Sequence, residues 1–152
     1  MTELEIRSYE ESDQEAVVNL WRECGLVTPW NDPVKDIGRK LRVQRDMFLV
    51  GSLGARLVAT VMAGYEGHRG WINYLAVAAD CRNRGFGRRL MQEAEGRLRA
   101  MGCPKINLQV RTSNTDVVKF YRAVGYSVDD VVSMGKRLEE DEGPAAESDA
   151  GS

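Results

Sequence analysis

Between Ala76 and Arg88 the chain reads AVAADCRNRGFGR. The branched and aromatic run Trp71–Val77 leads into a polar loop, the loop carries glycines at 85 and 87, and a helical pattern starts directly after them. A strand that turns on glycine and restarts as a helix presents several backbone N–H groups in one direction. The helix dipole adds about half a positive charge at that point. Glycine keeps side chains out of an anion's path to the backbone. Arg82, Arg84, Arg88 and Arg89 reinforce the sign of the field. The junction is therefore expected to cradle a phosphate or pyrophosphate. It is not a nucleoside triphosphate loop, because G-x-x-x-x-G-K-[ST] is absent. It is not a dinucleotide fingerprint either, because no G-x-G-x-x-G follows a first strand in an early βαβ unit.

The rest of the chain supplies the scaffold. Leu4–Tyr9 alternates as a strand, and Ser12-x-x-Glu15 reads as a capping box for a helix with Val17, Leu20, Trp21 and Cys24 on its apolar face. Asn31-Asp32-Pro33 starts a second helix. Met47–Ser52 and Arg56–Tyr65 form a hairpin, and Trp71–Val77 is the next strand. A long helix over Gly87–Met101 buries Leu90, Met91, Ala94, Leu98 and Met101 and stops at Gly102. Lys105–Val110 is a strand and Asn114–Val124 a short helix. Tyr126–Val132 and Met134–Leu138 read as the last two strands. This order implies an α/β domain, a mixed sheet with helices on both faces.

The 152 residues suffice for one core. All 21 Lys and Arg precede Glu139, whereas six of the 23 acidic residues follow Leu138, leaving residues 1–138 at +4. That excess suits one small polyanion and falls short of a nucleic-acid surface. The acidic stretch 139–152 is expected to be a disordered tail after a domain spanning 1–138. No apolar run approaches the roughly 18–20 residues of a membrane span, and the N-terminus lacks a signal-peptide pattern, so the expected compartment is cytoplasmic. Cys24, Cys81 and Cys103 are odd in number and without CxxC spacing, so neither disulfides nor a metal site is expected.

Arg82-Asn83-Arg84-Gly85-Phe86-Gly87 resembles the [Q/R]-x-x-G-x-[G/A] signature of the GCN5-related N-acetyltransferases (GNAT). Asn114 followed by Phe120-Tyr121-Arg122-Ala123-Val124-Gly125-Tyr126 is similar to that family's N…FYxxxGF/Y segment. The likeness covers roughly residues 3–138. Within the family, LWRECGLVTPWND (20–32), GYEGHRG (64–70) and MGKRLEED (134–141) look like the small bacterial YpeA-type predicted acetyltransferases.

The resemblance implies a GNAT fold, with a mixed, mostly antiparallel sheet of six to seven strands. It implies an acetyl-CoA-dependent N-acyltransferase acting by direct attack of a primary amine in a ternary complex, without a metal. Leu75, Ala76 and Val77 would pair with the pantetheine arm, and this strand and Lys105–Val110 would splay apart. Arg82, Asn83, Arg84, Gly85, Phe86, Gly87 and Arg88 would hold the pyrophosphate, with Asn114 beyond the splay. Tyr121 would touch the cofactor and protonate the departing thiolate; an ordinary phenol, with a pKa of about 10, is protonated at neutral pH. Gln109 stands where the ribosomal-protein N-terminal alanine acetyltransferases place a glutamate, and an amide cannot act as a base. Glu66 and His68 are the remaining candidates for that role. The acceptor, a small-molecule or peptide amine, would be met by Trp30, Asn31, His68 and Arg69. Two other readings stand beside this one. The first is a CoA-binding regulatory domain without catalysis. The second is a partner-binding module that dimerises through the hydrophobic C-terminal strand.

Overall fold

The computed structural model describes residues 3–141. Five strands form one sheet in the order β1-β2-β3-β4-β5: Glu5–Ser8, Phe48–Leu53, Arg56–Tyr65, Gly70–Val77 and Ile106–Leu108. The first four are antiparallel and β5 lies parallel to β4. Val58–Ala63 of β3 is buried without a break. Successive strand residues point to opposite faces, so both faces of the sheet are covered at its centre. The helices are α1 (Gln14–Glu23), α2 (Pro33–Leu41), α3 (Phe86–Ala100) and α4 (Thr115–Ala123). Among the described residues no helix is long and apolar enough to cross a membrane.

Local chemistry sets most of these boundaries. Asp32 Oδ1 accepts from the N–H groups of Val34 and Lys35 at 2.9 and 3.2 Å, and Pro33 fills the first helical position of α2. Gly25, Gly102 and Gly125 adopt positive φ just beyond α1, α3 and α4. The start of α1 differs from expectation. Its N-cap position is Asp13 rather than Ser12, and the Asp13 side chain serves the preceding turn instead of capping α1: Oδ2 accepts from Glu10 N–H at 2.9 Å and pairs with the Arg7 guanidinium at 2.7 Å. Ser12 lies inside the preceding 3₁₀ turn, Glu11–Asp13. In α3 the expected apolar face is buried except for Met101, which is exposed at the helix end.

Trp21 of α1 is the centre of the core. It is fully buried, and its ring stacks on Tyr74 of β4 at 3.8 Å and on Phe48 of β2 at 6.1 Å. Phe48 in turn stacks on Tyr9 at 4.5 Å. Each such pair contributes about 0.5–1.5 kcal/mol beyond area burial. The indole N–H donates to Thr60 Oγ1 at 2.9 Å, and the Thr60 hydroxyl donates to the Tyr74 carbonyl at 2.9 Å. This contact falls on an irregularity. Thr60 faces Ala76 and Met62 faces Asn73, so β4 carries one extra residue against β3. Tyr74, within that bulge, has φ of 53°. A tyrosine in the left-handed region costs about 1–3 kcal/mol, and the Trp21–Thr60–Tyr74 contacts hold it there.

The sheet has five strands, not the expected six to seven. Tyr126–Val132 and Met134–Leu138 are irregular chain, and their Val131, Val132, Met134 and Leu138 are exposed. Side chains rather than a backbone ladder attach this segment. Lys105 pairs with Asp129 at 3.0 Å and Gln109 donates to Ser133. Further on, Arg137 donates to Trp30 O and Asn31 Oδ1. Asp141, 3% exposed, bonds Arg39 at 2.6 Å and accepts from Asp32 N–H at 2.9 Å. The stretch expected to begin a disordered tail at Glu139 is thus docked as far as Asp141. Residues 142–152, the rest of that expected tail, lie outside the described residues.

Two outcomes are expected. Trp21→Phe removes the indole donor from Thr60 and should lower stability by about 1–3 kcal/mol in urea denaturation. The Arg39 guanidinium holds the Asp141 carboxyl at about 2. A depressed carboxylate contributes stability that is complete above its unfolded value of about 3.9 and is lost as pH falls through the folded value. The docked segment should therefore be secure at neutral pH, and Asp141→Asn should release it there. Faster tryptic cleavage after Lys136 and Arg137 in the variant is the readout.

Candidate active site

The cradle forms where β4 ends. A 3₁₀ turn, Ala79–Cys81, leads to Asn83 and Gly85, with φ of 63° and 81°. Gly85 is the N-cap of α3 and has no side chain with which to cap it, so the first-turn N–H groups have no side-chain partner there. The first turn contains no acidic residue. None of Arg82, Arg84, Arg88 and Arg89 forms a salt bridge among the described residues, whereas Arg7, Arg39, Arg45, Arg56 and Arg97 all do. The positive field at this helix start is therefore left without an internal counter-charge.

The arginines differ in what they touch. Arg82 Nε donates to Val77 O at 3.2 Å, which ties the loop to the end of β4. Arg84 lies over the Phe86 ring at 4.8 Å. Arg88 reaches Ala123 O at 3.4 Å, joining α3 to α4. Arg89 bonds Leu4 O at 3.0 Å and so serves β1 instead of the cradle.

The two glycines have separate causes. Gly85 is needed for its φ; a Cβ there would meet nothing. Gly87 lies where packing is tight, because a Cβ would be 3.1 Å from Phe120 Cζ and the ring would have to give way. Helix α4 thus sits directly against the first turn of α3.

Beside the cradle, β4 is half unpaired. Its register with β5 runs from Gly70↔Ile106 to Ile72↔Leu108 and stops. Asn73–Val77 has no strand partner on that edge, and the Tyr74 bulge interrupts the ladder to β3 within the same stretch. Among the described residues no ladder joins the two strands beyond Ile72 and Leu108, the stretch where they are expected to splay apart. An open groove of about 1460 Å³ runs along β5 and is lined by Trp71, Asn107, Gln109, Tyr121 and Ser133.

Tyr121 is 8% exposed, with its ring edge-on to Phe120 at 5.1 Å and to Tyr126 at 5.7 Å. Burial pushes its phenol up to about 12. Asn114 caps α4 by accepting from Val117 N–H at 3.4 Å. Glu66 and His68 share an exposed turn between β3 and β4. Glu66 Oε1 accepts from the N–H groups of both His68 and Arg69, which holds its carboxyl below the ordinary range and makes it a weaker base. Trp30 and Asn31 lie elsewhere, under Arg111, whose guanidinium is 5.3 Å from the Trp30 ring, and beside Arg137. No hydrogen bond, ion pair or ring contact joins that pair to His68 or Arg69 among the described residues.

Several residues with no mark in the sequence also belong here. Tyr74 donates to Asp36 Oδ2 at 2.7 Å, and burial together with that carboxylate raises its phenol well above the ordinary value. Arg39 joins Asp36 to Asp141, with distances of 3.1 and 2.6 Å. Asp36 and Arg39 fall at i, i+3 on α2, a spacing that signals a helix pair. Their tie to Tyr74 is long-range and leaves no local trace.

Known proteins share this architecture. The sequence profile of the acetyltransferase (GNAT) family matches residues 1–126. A protein named acetyltransferase from Pectobacterium atrosepticum is 46% identical over 138 residues, covering 91% of this chain and 98% of that one. An uncharacterized N-acetyltransferase of Yersinia pestis is 44% identical, covering 89% of this chain and 96% of its own. Among solved structures, AAC(6')-Iy in complex with the bisubstrate analogue CoA-S-monomethyl-acetylneamine superposes with a TM-score of 0.73 at 17% identity, over 90% of this chain and 99% of that one. Ard1 from Thermoplasma volcanium gives 0.69 at 20% identity, over 83% and 84%. The chain belongs to the acetyltransferase (GNAT) family.

The glycine assignments make a testable pair. Gly85→Ala should cost about 1–2 kcal/mol through its left-handed backbone. Gly87→Val should cost about 1–3 kcal/mol through overpacking against Phe120. Adding Phe120→Ala should relieve part of the second loss and none of the first, as read by urea melts of the double variants.

Proposed function

We propose that this member of the GNAT family transfers an acetyl group from acetyl-CoA to a primary amine by direct attack in a ternary complex. The observation that carries the reading is the half-unpaired β4 edge, Asn73–Val77, ending at an uncapped, carboxylate-free helix start. An extended amide-bearing arm fits the free strand edge, and a pyrophosphate fits the N-terminus of α3. Bound acetyl-CoA supplies a thioester, an acyl group already activated for attack.

The chain's own residues do the rest. The backbone of Leu75–Val77 binds the arm. Phe86, Gly87 and Arg88 offer first-turn N–H groups, and Arg82, Asn83 and Arg84 surround them. Asn114, already engaged as a cap through its Oδ1, retains its amide donors for the arm beyond the splay. At the Tyr74 bulge, peptide groups outside the β3 ladder are placed to donate to a carbonyl oxygen that gains charge. As the C–S bond breaks, Tyr121 donates its phenolic proton to the departing sulfur and recovers one from solvent. Its raised pKa keeps that proton in place across the neutral range.

The attacking amine must lose a proton as its C–N bond forms. Glu66 is committed to its turn, and Gln109 is spent on Ser133. Water therefore relays this proton to solvent, with His68 the one imidazole in the chain available to the relay. Arg69, on the same turn as Glu66, borders the acceptor's approach, whereas Trp30 and Asn31 are held with Arg111 and Arg137.

A CoA-release assay across small-molecule amines, peptide N-termini and lysine side chains tests the reading. Turnover with at least one class is expected. Tight acetyl-CoA binding with no release beyond buffer for every class would leave only a CoA-binding domain. For any accepted amine, Tyr121→Phe should reduce kcat by about 10²–10⁴ with little change in acetyl-CoA affinity. Unchanged turnover would remove Tyr121 from the mechanism.

A further inference from the structure

Lys40 is the last lysine of α2, and it is half-buried against the sheet. Its ammonium donates to the Ala63 carbonyl of β3. It sits in the space above Gly64, where a Cβ would come within 3.3 Å of Nζ. No carboxylate forms a salt bridge with it among the described residues. Burial accordingly lowers its pKa, with only a distant charge on Asp46 opposing the shift. The Gln44 amide beside it is turned to the Tyr65 backbone, donating to Tyr65 O at 2.7 Å and accepting from Tyr65 N–H at 2.8 Å. A half-buried ammonium with one neutral carbonyl as its partner has two N–H donors left for a ligand.

This ammonium faces a cavity of about 230 Å³. Val43, Met62 and Trp71 supply its apolar walls, and Asn73 closes it on the β4 side. Asn73 immediately precedes the bulged Tyr74, so the cavity adjoins the point where the thioester is proposed to lie. Glu66 lies on the rim, but its carboxylate is turned into its own loop. Neither Lys40 nor Glu66 shifts the other's titration. The cavity thus combines a cation without a carboxylate partner, apolar walls and a border at Asn73, one residue before the bulged Tyr74.

We propose that this cavity is the acceptor subsite and that Lys40 binds a carboxylate of the acceptor, making the acceptor an aminocarboxylate. The carboxylate occupies the two remaining N–H directions of Lys40, the stem lies between Met62 and Trp71, and the amine points along β4 toward Tyr74. A decarboxylated amine of the same shape would leave the Lys40 ammonium desolvated and unpaired. The site therefore selects for the carboxylate by more than the bond it adds. The inference rests on the acetyl-transfer reading for the meaning of "acceptor" and on the cavity alone for the binding of a carboxylate.

The test uses the full chain with lysines labelled with carbon-13 at Cε and the Lys40 signal assigned through Lys40→Arg. Lysine, tyrosine and glycine are titrated against cadaverine, tyramine and methylamine. A saturable shift of the Lys40 signal is expected with an aminocarboxylate and not with its decarboxylated counterpart. Lys40→Met should weaken that binding roughly 10- to 100-fold in calorimetry, the range for loss of a charge-assisted hydrogen bond, and Lys40→Arg should retain most of it. Acetyl-CoA affinity should be the same in all three proteins. No saturable shift with any aminocarboxylate, or an equal shift with the decarboxylated partner, overturns the inference. The labelled wild-type arm decides this even if Lys40→Met fails to fold. If acetyl-CoA binds and no carboxylate does, only this inference fails. If the wild-type protein binds no acetyl-CoA, the acetyl-transfer reading fails separately.

Discussion

The buried indole N–H of Trp21 holds the site in place. It reaches Thr60, whose hydroxyl reaches the carbonyl of Tyr74, while the indole ring lies flat on the Tyr74 side chain. Tyr74 is the residue whose left-handed backbone makes β4 one residue longer than its partner. Without an opposing force the strand would slip back into an even ladder. An evenly laddered β4 would offer no unpaired peptide groups beside β3. One helix-to-sheet contact in the core therefore fixes a local distortion at the surface that the site requires. The phenol of Tyr74 extends the tie outward through Asp36 and Arg39 to Asp141, so the C-terminal segment and α2 bear on the same residue.

The cradle follows from a second constraint, charge left unpaired on purpose of geometry. Arg7, Arg39, Arg45, Arg56 and Arg97 meet carboxylates; around the start of α3 the arginines meet carbonyls, a thiol and an aromatic ring. Those partners position the guanidinium groups without neutralising them. Gly85 shapes the turn by its backbone, and Gly87 lets α4 close over α3. Two glycines that look alike in the motif act on different links, one on the path of the chain and one on helix packing. Lys40 repeats the pattern of a cation without a carboxylate partner near the start of β4, this time beside an apolar cavity.

What could be read in the sequence was local. The Asp32-Pro33 cap, the hairpin, the apolar stripe of α3 and the glycine stops each depend on a few neighbouring residues, and each is present. The end of β4 and the glycine turn were legible for the same reason. What could not be read was set by contacts between distant residues. Nothing near Tyr74 marks a positive φ; it comes from Trp21 and Thr60. Asp141 sits in an acidic run that reads as solvated, and Arg39, 102 residues away, together with the Asp32 N–H draws it in. Tyr126–Val132 and Met134–Leu138 have strand-like composition, yet side chains attach this segment to the residues flanking β5 and to Trp30 and Asn31 before α2, and no ladder forms among the described residues. Gln109, marked for the absence of a carboxylate, proves to be one of those attachments.

If the free edge of β4 and the start of α3 together hold acetyl-CoA, adding it to isotope-labelled protein should move the backbone amide signals of Leu75–Val77 and Asn83–Arg88 most, and Gly85→Val should abolish the second set while the fold persists. Changes confined to other surfaces, or none at saturating acetyl-CoA, would contradict that placement.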